Sequence, residues 1–231
     1  MRPLTLSLAL GSGALLAGFL AAVFLRERAI SAGERGETPA SEAVPVEPLS
    51  TTLRAIRAQE SAWLGKRVRF VLQFRERVPA WDPFLSRFGP AQWTAFAAWP
   101  DEVFTWDPES YADSIRTLFV RRGSAPDAFV GSASPGERME AVGTVREAFL
   151  DEPWIEIEGL VPLAESVGEG TILHVGRARE FMVQGQWELA LQQFERAKAA
   201  PLPAHALADI ERQIGECHRL REEVGGQKSG K

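Results

Sequence analysis

Val68-Arg69-Phe70-Val71-Leu72-Gln73-Phe74-Arg75 is the stretch whose reading decides the fold. Val68, Phe70, Leu72 and Phe74 are apolar, and Arg69, Gln73, Arg75 and Arg77 alternate with them. Successive side chains of a strand point to opposite faces, so this period of two describes a strand with one buried face. The stretch before it has helical spacing instead. Leu53-Arg54-Ala55-Ile56-Arg57-Ala58 with Trp63-Leu64 predicts a short amphipathic helix, and the period changes at Gly65.

Working outward, Thr94 to Trp99 reads as a second strand and Thr117-Leu118-Phe119-Val120 as a short buried third. Ser124-Ala125-Pro126-Asp127-Ala128-Phe129-Val130 carries a capping Ser and an early Pro, which predicts a short helix. After the Gly136-Glu137-Arg138 turn, Met139 to Arg146 forms a fourth strand. A turn near Asp151-Glu152-Pro153 leads into the alternating Trp154-Ile155-Glu156-Ile157-Glu158. Five strands are thus expected to close between Val68 and Leu163.

That order, with the Leu64-Gly65-Lys66-Arg67-Val68 lead-in, Gly143-Thr144-Val145 and the closing Trp154-Ile155-Glu156-Ile157, resembles an OB-fold over residues 64–164. Such barrels host many unrelated functions, so the resemblance implies a fold and no activity. In outline the chain is also similar to the periplasmic haem chaperones of cytochrome maturation, which place an OB barrel behind one N-terminal span. Those proteins hold haem through a histidine near the end of the barrel. Here the three histidines, His174, His205 and His218, all follow the barrel, so haem binding is not carried over.

Between the first and third strands lie Trp81, Phe84, Phe88, Trp93, Phe96, Trp99, Phe104, Trp106 and Tyr111. Trp81-Asp82-Pro83 and Trp106-Asp107-Pro108 repeat one unit, in which Asp caps a helix that begins with Pro. Two readings stand. The rings, with Trp81, Trp99 and Trp106 foremost, form a partner or ligand surface, as aromatics do at interface hot spots. In the favoured reading they cap the barrel as a satellite core. Arg121-Arg122 beside the third strand would serve an anionic ligand or end a strand in solvent.

Residues 172–223 carry Ala178, Phe181, Gly185, Ala190, Phe194 and Ala197 at the spacing of one tetratricopeptide repeat, with Pro201 and Pro203 flanking its terminal position. Small Ala178 and Ala190 would let two antiparallel helices approach, Phe181 and Phe194 would fill the seam, and Gly185 would sit near the turn. The segment departs from the repeat at its start, where His174 and Arg177 replace the usual Trp and Leu. Leu207, Ile210, Ile214, Cys217 and Leu220 form one stripe of a third helix, Ala204 to Glu223, that resembles a solvating cap. A full peptide groove normally takes about three repeats, so a single one suits docking or packing.

At the other end, Leu4 to Leu25 carries no charge and is bracketed by Arg2 and by Arg26-Glu27-Arg28. As a helix it covers roughly 30 Å, the hydrocarbon thickness of a bilayer. A cleaved signal peptide is the competing reading, but its apolar core is about 7–15 residues long, and no small-x-small site follows directly here. A retained transmembrane anchor, or signal anchor, is expected. Flanking arginines are nearly balanced. The short N-tail before a long apolar run resembles an export signal, which favours an extracytoplasmic, periplasmic body. Rows Gly13/Ala17/Ala21 and Ala14/Gly18/Ala22 suit a weak homodimer. Ser31 to Ser50, rich in Ala, Gly, Glu and Pro, reads as a flexible linker.

With 231 residues, 45% hydrophobic and 25% charged, the chain has ample material for a core. A net charge of −5 argues against nucleic acid as a partner. The single cysteine, Cys217, excludes intrachain disulfides, and Cys217-His218 diverge by about 100° on a helix, a poor catalytic or metal pair. No HExxH, P-loop, GxSxG or GxGxxG occurs, and Gly11-Ser12-Gly13 lies inside the apolar run. Asp101-Glu102 and Asp151-Glu152 read as solvated loops.

The expected architecture is α+β: a single transmembrane helix (1–30), a flexible linker (31–50), and a small OB-like β-barrel (51–166) with an aromatic-rich insertion at 79–116. Antiparallel tetratricopeptide-like helices (167–223) and a disordered tail (224–231) complete it. The expected function is non-enzymatic and without cofactor or metal: protein–protein interaction or scaffolding at the membrane surface through a protein partner. Alternatives are a small-ligand or oligosaccharide-binding barrel, and an accessory subunit of a membrane enzyme complex.

Overall fold

The structure, a computed structural model, describes residues 47–79 and 87–228. The run from Leu4 to Leu25, nearly all of the linker and the first Trp-Asp-Pro unit at Trp81 lie outside the described residues. Among the described residues no helix is long and apolar enough to cross a membrane.

The chain enters through a two-residue strand, β1 (Leu49–Ser50), and a short helix, α1 (Leu53–Ala58). Thr52 caps α1, its Oγ1 accepting from the Ala55 amide at 3.1 Å. Leu53 and Ile56 point into the barrel core. After a 3₁₀ turn at Glu60–Trp63, the alternating stretch becomes β2 (Arg67–Val78). Then come β3 (Trp93–Pro100), α2 (Pro108–Ala112), β4 (Ile115–Arg121), α3 (Ala125–Ser132), β5 (Arg138–Phe149) and β6 (Glu152–Pro162). Ser124 caps α3 by accepting from the Asp127 amide, with Pro126 in its first turn.

β2 pairs antiparallel with β3, β3 with β4, and β5 with β6; β4 pairs parallel with β6, and β5 returns to β2. Five strands therefore close a barrel in the order β2-β3-β4-β6-β5. That closure, with a helix between β4 and β5, is compatible with an OB-like fold. The interior is packed with Phe70, Leu72, Phe96, Leu118, Met139 and Ile155, and α3 covers it through Val130. Both faces of β3 are buried: Phe96 and Ala98 point inward, while Ala95 and Ala97 form an outer cluster with Val78. This is why β3 carries no alternation in sequence.

Three helices follow: α4 (Glu169–Val183), α5 (Trp187–Ala197) and α6 (Ala204–Lys228). α4 and α5 run antiparallel, with Thr171 Oγ1 donating to the Ala197 carbonyl at 3.4 Å and His174 Nδ1 2.8 Å from Gln193 Oε1. α6 runs antiparallel to α5, joined by Arg221–Glu188 at 2.8 Å and Lys198–Glu211 at 3.5 Å.

Two boundaries move relative to the sequence expectation. The linker's last residues, Leu49 and Ser50, pair in parallel with Val68 and Arg69. Two residues are too few to show a period. The expected tail begins at 224, but α6 continues through Gly225 and Gly226 to Lys228, its preceding turns held by Arg212–Glu216 and Arg219–Glu223 pairs four apart.

Candidate binding surfaces

Of the three tryptophans proposed as a ligand surface, two are core. Trp99 is 2% exposed, and its Nε1 donates to the Tyr111 carbonyl at 2.9 Å. The Arg75 guanidinium lies over both the Trp99 and Tyr111 rings and donates to Ser114 Oγ at 2.7 Å. α2 thus folds over the outer face of β3. Asp107 stands at its N-cap with Pro108 following, and its carboxylate accepts from Ser110 Oγ at 2.9 Å rather than from a backbone amide. Trp106 is 6% exposed and belongs to the helical core, packed with Val167, Val175, Ala178 and Phe194.

The connection that delivers Trp106 is clamped from the barrel side. Gln73 is fully buried on β2, and its Nε2 donates to the carbonyls of Asp101 and Val103, both at 3.0 Å. Arg138 grips the Asp101 carboxylate with two hydrogen bonds, at 2.5 and 2.8 Å. On the helical side, Arg179 donates to Gln213 Oε1 at 2.8 Å and to the Trp106 carbonyl at 3.4 Å.

Arg121 and Arg122 diverge. The Arg121 guanidinium stacks 4.8 Å from the Trp93 ring centroid and lies 3.8 Å from Glu156. Arg122 lines a cleft of about 220 Å3 with Arg77, Phe88, Pro90, Trp93 and Thr94. Among the described residues neither Arg77 nor Arg122 has a carboxylate within ion-pair distance. Their field nevertheless reaches Asp127, whose carboxyl is held below its ordinary range by a Thr94 hydrogen bond, the Gly123 amide and the two arginines.

A wider apolar concavity lies elsewhere. A groove of about 640 Å3 runs between the first turn of α4 and the β3–β4 connection, bounded by Thr105, Tyr111, Glu169, Gly170, Ile172 and Leu173. Leu173 is 50% exposed and Tyr111 nearly as much. A second apolar surface caps the β5–β6 hairpin. Leu64 and Phe149 share a shallow depression there, and Leu150 at the tip is 67% exposed. Phe149 pairs with Glu152, so the turn consists of Leu150 and Asp151, both at positive φ (55° and 57°). This two-residue geometry normally takes Asn-Gly, and a leucine there costs about 1–2 kcal/mol.

In the helical unit, Ala178, Ala190, Phe194 and Ala197 are fully buried, Phe181 is half-buried, and Gly185 takes φ +69° in the α4–α5 turn. Cys217 is buried with its thiol toward the Trp187 carbonyl, and burial pushes its pKa up. Among the described residues no group of three His, Cys, Asp or Glu side chains is placed to hold a metal. No family model matches the chain, and no curated protein matches it in sequence.

Sequence reading placed Arg77 on the outward face of the first strand and Tyr111 in the aromatic insertion, but singled out neither Leu173 nor Leu150 as a surface feature. The signal for Leu173 was available: it is apolar but lies off the buried Thr171-Val175-Ala178 stripe of α4. For Leu150 the signal was an apolar residue where a tight hairpin turn asks for Asn or Gly.

Proposed function

We propose that this protein is a non-enzymatic, membrane-anchored interaction module that holds a protein partner in the groove beside α4. The observation that carries this reading is the pair of exposed apolar side chains, Tyr111 and Leu173, facing one groove on a barrel whose interior is filled. Exposed apolar concavities of this kind mark association sites. In this reading Leu4 to Leu25 anchors the chain as a single span, with the body extracytoplasmic. The barrel is an OB-like platform, α4 and α5 act as one tetratricopeptide-like repeat, and α6 is its cap. Nucleic acid is not the partner, given the net charge of −5.

A photo-crosslinking amino acid at position 173, in native membranes, should give a discrete protein adduct. The same probe at Val161, which is as exposed but lies on the barrel, should give none. Equal adducts at both positions, or none at 173, sink the proposal.

A second reading is a small anionic ligand in the cleft between Arg77 and Arg122, favoured by two arginines that share it without an ion pair among the described residues. Thermal stabilisation by small carboxylates or phosphates, removed by Arg122→Gln, is the result it requires. The tryptophan-based ligand surface is not part of it, because Trp99 and Trp106 are core.

A further inference from the structure

From the β5–β6 hairpin we infer a second contact with the bilayer: Phe149 and Leu150, with Leu64 beside them, insert into the lipid interface and orient the barrel on the membrane. This rests on the proposal that Leu4 to Leu25 is a retained anchor.

Two independent features single out the tip. Leu150 and Phe149 are 67% and 46% exposed, and Leu64 of the β2 lead-in lines the same depression as Phe149 at 54%. Three large apolar side chains thus face solvent together. In addition, Leu150 occupies a left-handed backbone position that Asn or Gly would take without strain. Strained backbone with an exposed apolar side chain is typical of functional contacts and serves nothing in the folding of this hairpin.

The direction of the chain selects the occupant. β1 runs parallel to β2, so residues 47 and 48 reach Leu49 from the same end as the start of β2. β5 runs antiparallel to β2 and continues past that end to Phe149. The hairpin tip therefore projects toward the side from which the chain arrives. Beyond that point about 20 residues of linker separate the barrel from the apolar run. Read as the flexible linker that its composition predicts, a segment of that length would have a root-mean-square span of about 25 Å, short enough on that reading to raise the effective concentration of the tip at the bilayer. Nearby, Lys66 is exposed and sits 5.2 Å from the centroid of the half-buried Trp63 ring. A Trp–Lys pair suits the headgroup level. Asp151, the one exposed acid in the turn itself, would stay among the headgroups.

The test uses the full chain reconstituted into phosphatidylcholine vesicles. Cys217 is buried, so a new cysteine can be labelled selectively with an environment-sensitive fluorophore. The label is placed at Asp151→Cys or, as control, at Ser134→Cys, roughly 40 Å away at the other end of β5. Lipids brominated on the acyl chain should quench the label at 151 several-fold more than the label at 134. Adding Leu150→Asn should abolish the difference. Asn suits the turn, so that variant folds at least as well. Equal quenching at both positions in a carbonate-resistant chain overturns the inference and leaves the anchor standing. Recovery of the chain in the carbonate supernatant overturns both. Shielding of the tip that depends on protein concentration, without lipid quenching, assigns the surface to a second copy instead and also overturns it.

Discussion

The barrel and the helical unit build their cores from opposite materials. The barrel closes on itself with large side chains from every strand, and α1 and α3 add Leu53, Ile56 and Val130. The helical unit is cored on alanines: Ala178, Ala190, Ala197 and Ala206 are all fully buried. Alanines let helices approach closely but bury little area each. Much of the remaining volume is filled by Phe194 and by Trp106, which comes from the barrel's own β3–β4 connection. The lesson is one of dependence. The barrel carries what it needs, whereas the helices are completed by a ring that the barrel supplies.

Trp106→Ala tests this most severely. Removing a buried Trp costs about 3–5 kcal/mol, and the loss should fall unevenly. Hydrogen exchange should show α4, α5 and α6 losing amide protection while β2 and β5 retain theirs. Uniform loss across both regions would mean that they unfold as one cooperative unit. Gln73→Ala should have a smaller effect of the same kind. It leaves the buried carbonyls of Asp101 and Val103 without their donor, at about 1–3 kcal/mol. Because Gln73 acts by holding the connection that carries Trp106, denaturation of the double variant should fall short of the sum of the single losses.

The same contrast explains what could be read from sequence. β2, β5 and β6 each cover the core with one face and show it as alternation. The charged residues of their outer faces pair with one another across strands, as Arg67–Glu158 and Arg146–Glu156 do. β3 is buried on both sides and shows almost no pattern. The helical stripe gave the α4–α5 pair, because Ala178, Ala190 and Ala197 recur at helical spacing. What could not be read was the destination of Trp106. Sequence placed it within a barrel insertion, and only the fold brings it against Val175 and Phe194, far along the chain. The groove and the hairpin tip were missed for a related reason. Exposure of an apolar residue is set by what fails to cover it, and a local pattern hints at it only where the residue leaves a buried stripe, as Leu173 does, or breaks a turn rule, as Leu150 does.

The turn that caps β5 and β6 gives a prediction of opposite sign. Leu150→Asn relieves a left-handed leucine and should stabilise the fold by about 1 kcal/mol, seen as a higher Tm. It would also sharpen the comparison, because the gain should appear in protection of the β5–β6 hairpin and not in α4–α6. A lower Tm would show that Leu150 packs against the barrel and is not a free apolar tip.

The smallest effect is a pH dependence confined to the barrel, and its sign follows from three carboxylates. Glu158 loses hydration on burial, but hydrogen bonds from Thr144 and Arg67 outweigh that and hold its pKa below the ordinary range. Asp127 is lowered likewise, by Thr94 first. A carboxyl lowered in the folded state contributes stability that is complete above its unfolded pKa and lost as pH falls through the folded value. Glu152 behaves oppositely. Burial raises its pKa despite Arg57 at 2.7 Å, and its Oε2 is buried with no hydrogen-bond partner among the described residues. Its contribution is present below the unfolded pKa and declines as pH rises through the folded one. The two effects meet in the acid range, so each mutant should change the slope there in its own direction. Chemical denaturation between neutral pH and pH 3 should show Glu158→Gln flattening the acid loss, while Glu152→Gln steepens it by removing the opposing group. Identical slopes for the two variants would mean that Arg57 dominates Glu152 after all, and that burial at the hairpin base is relieved by solvent.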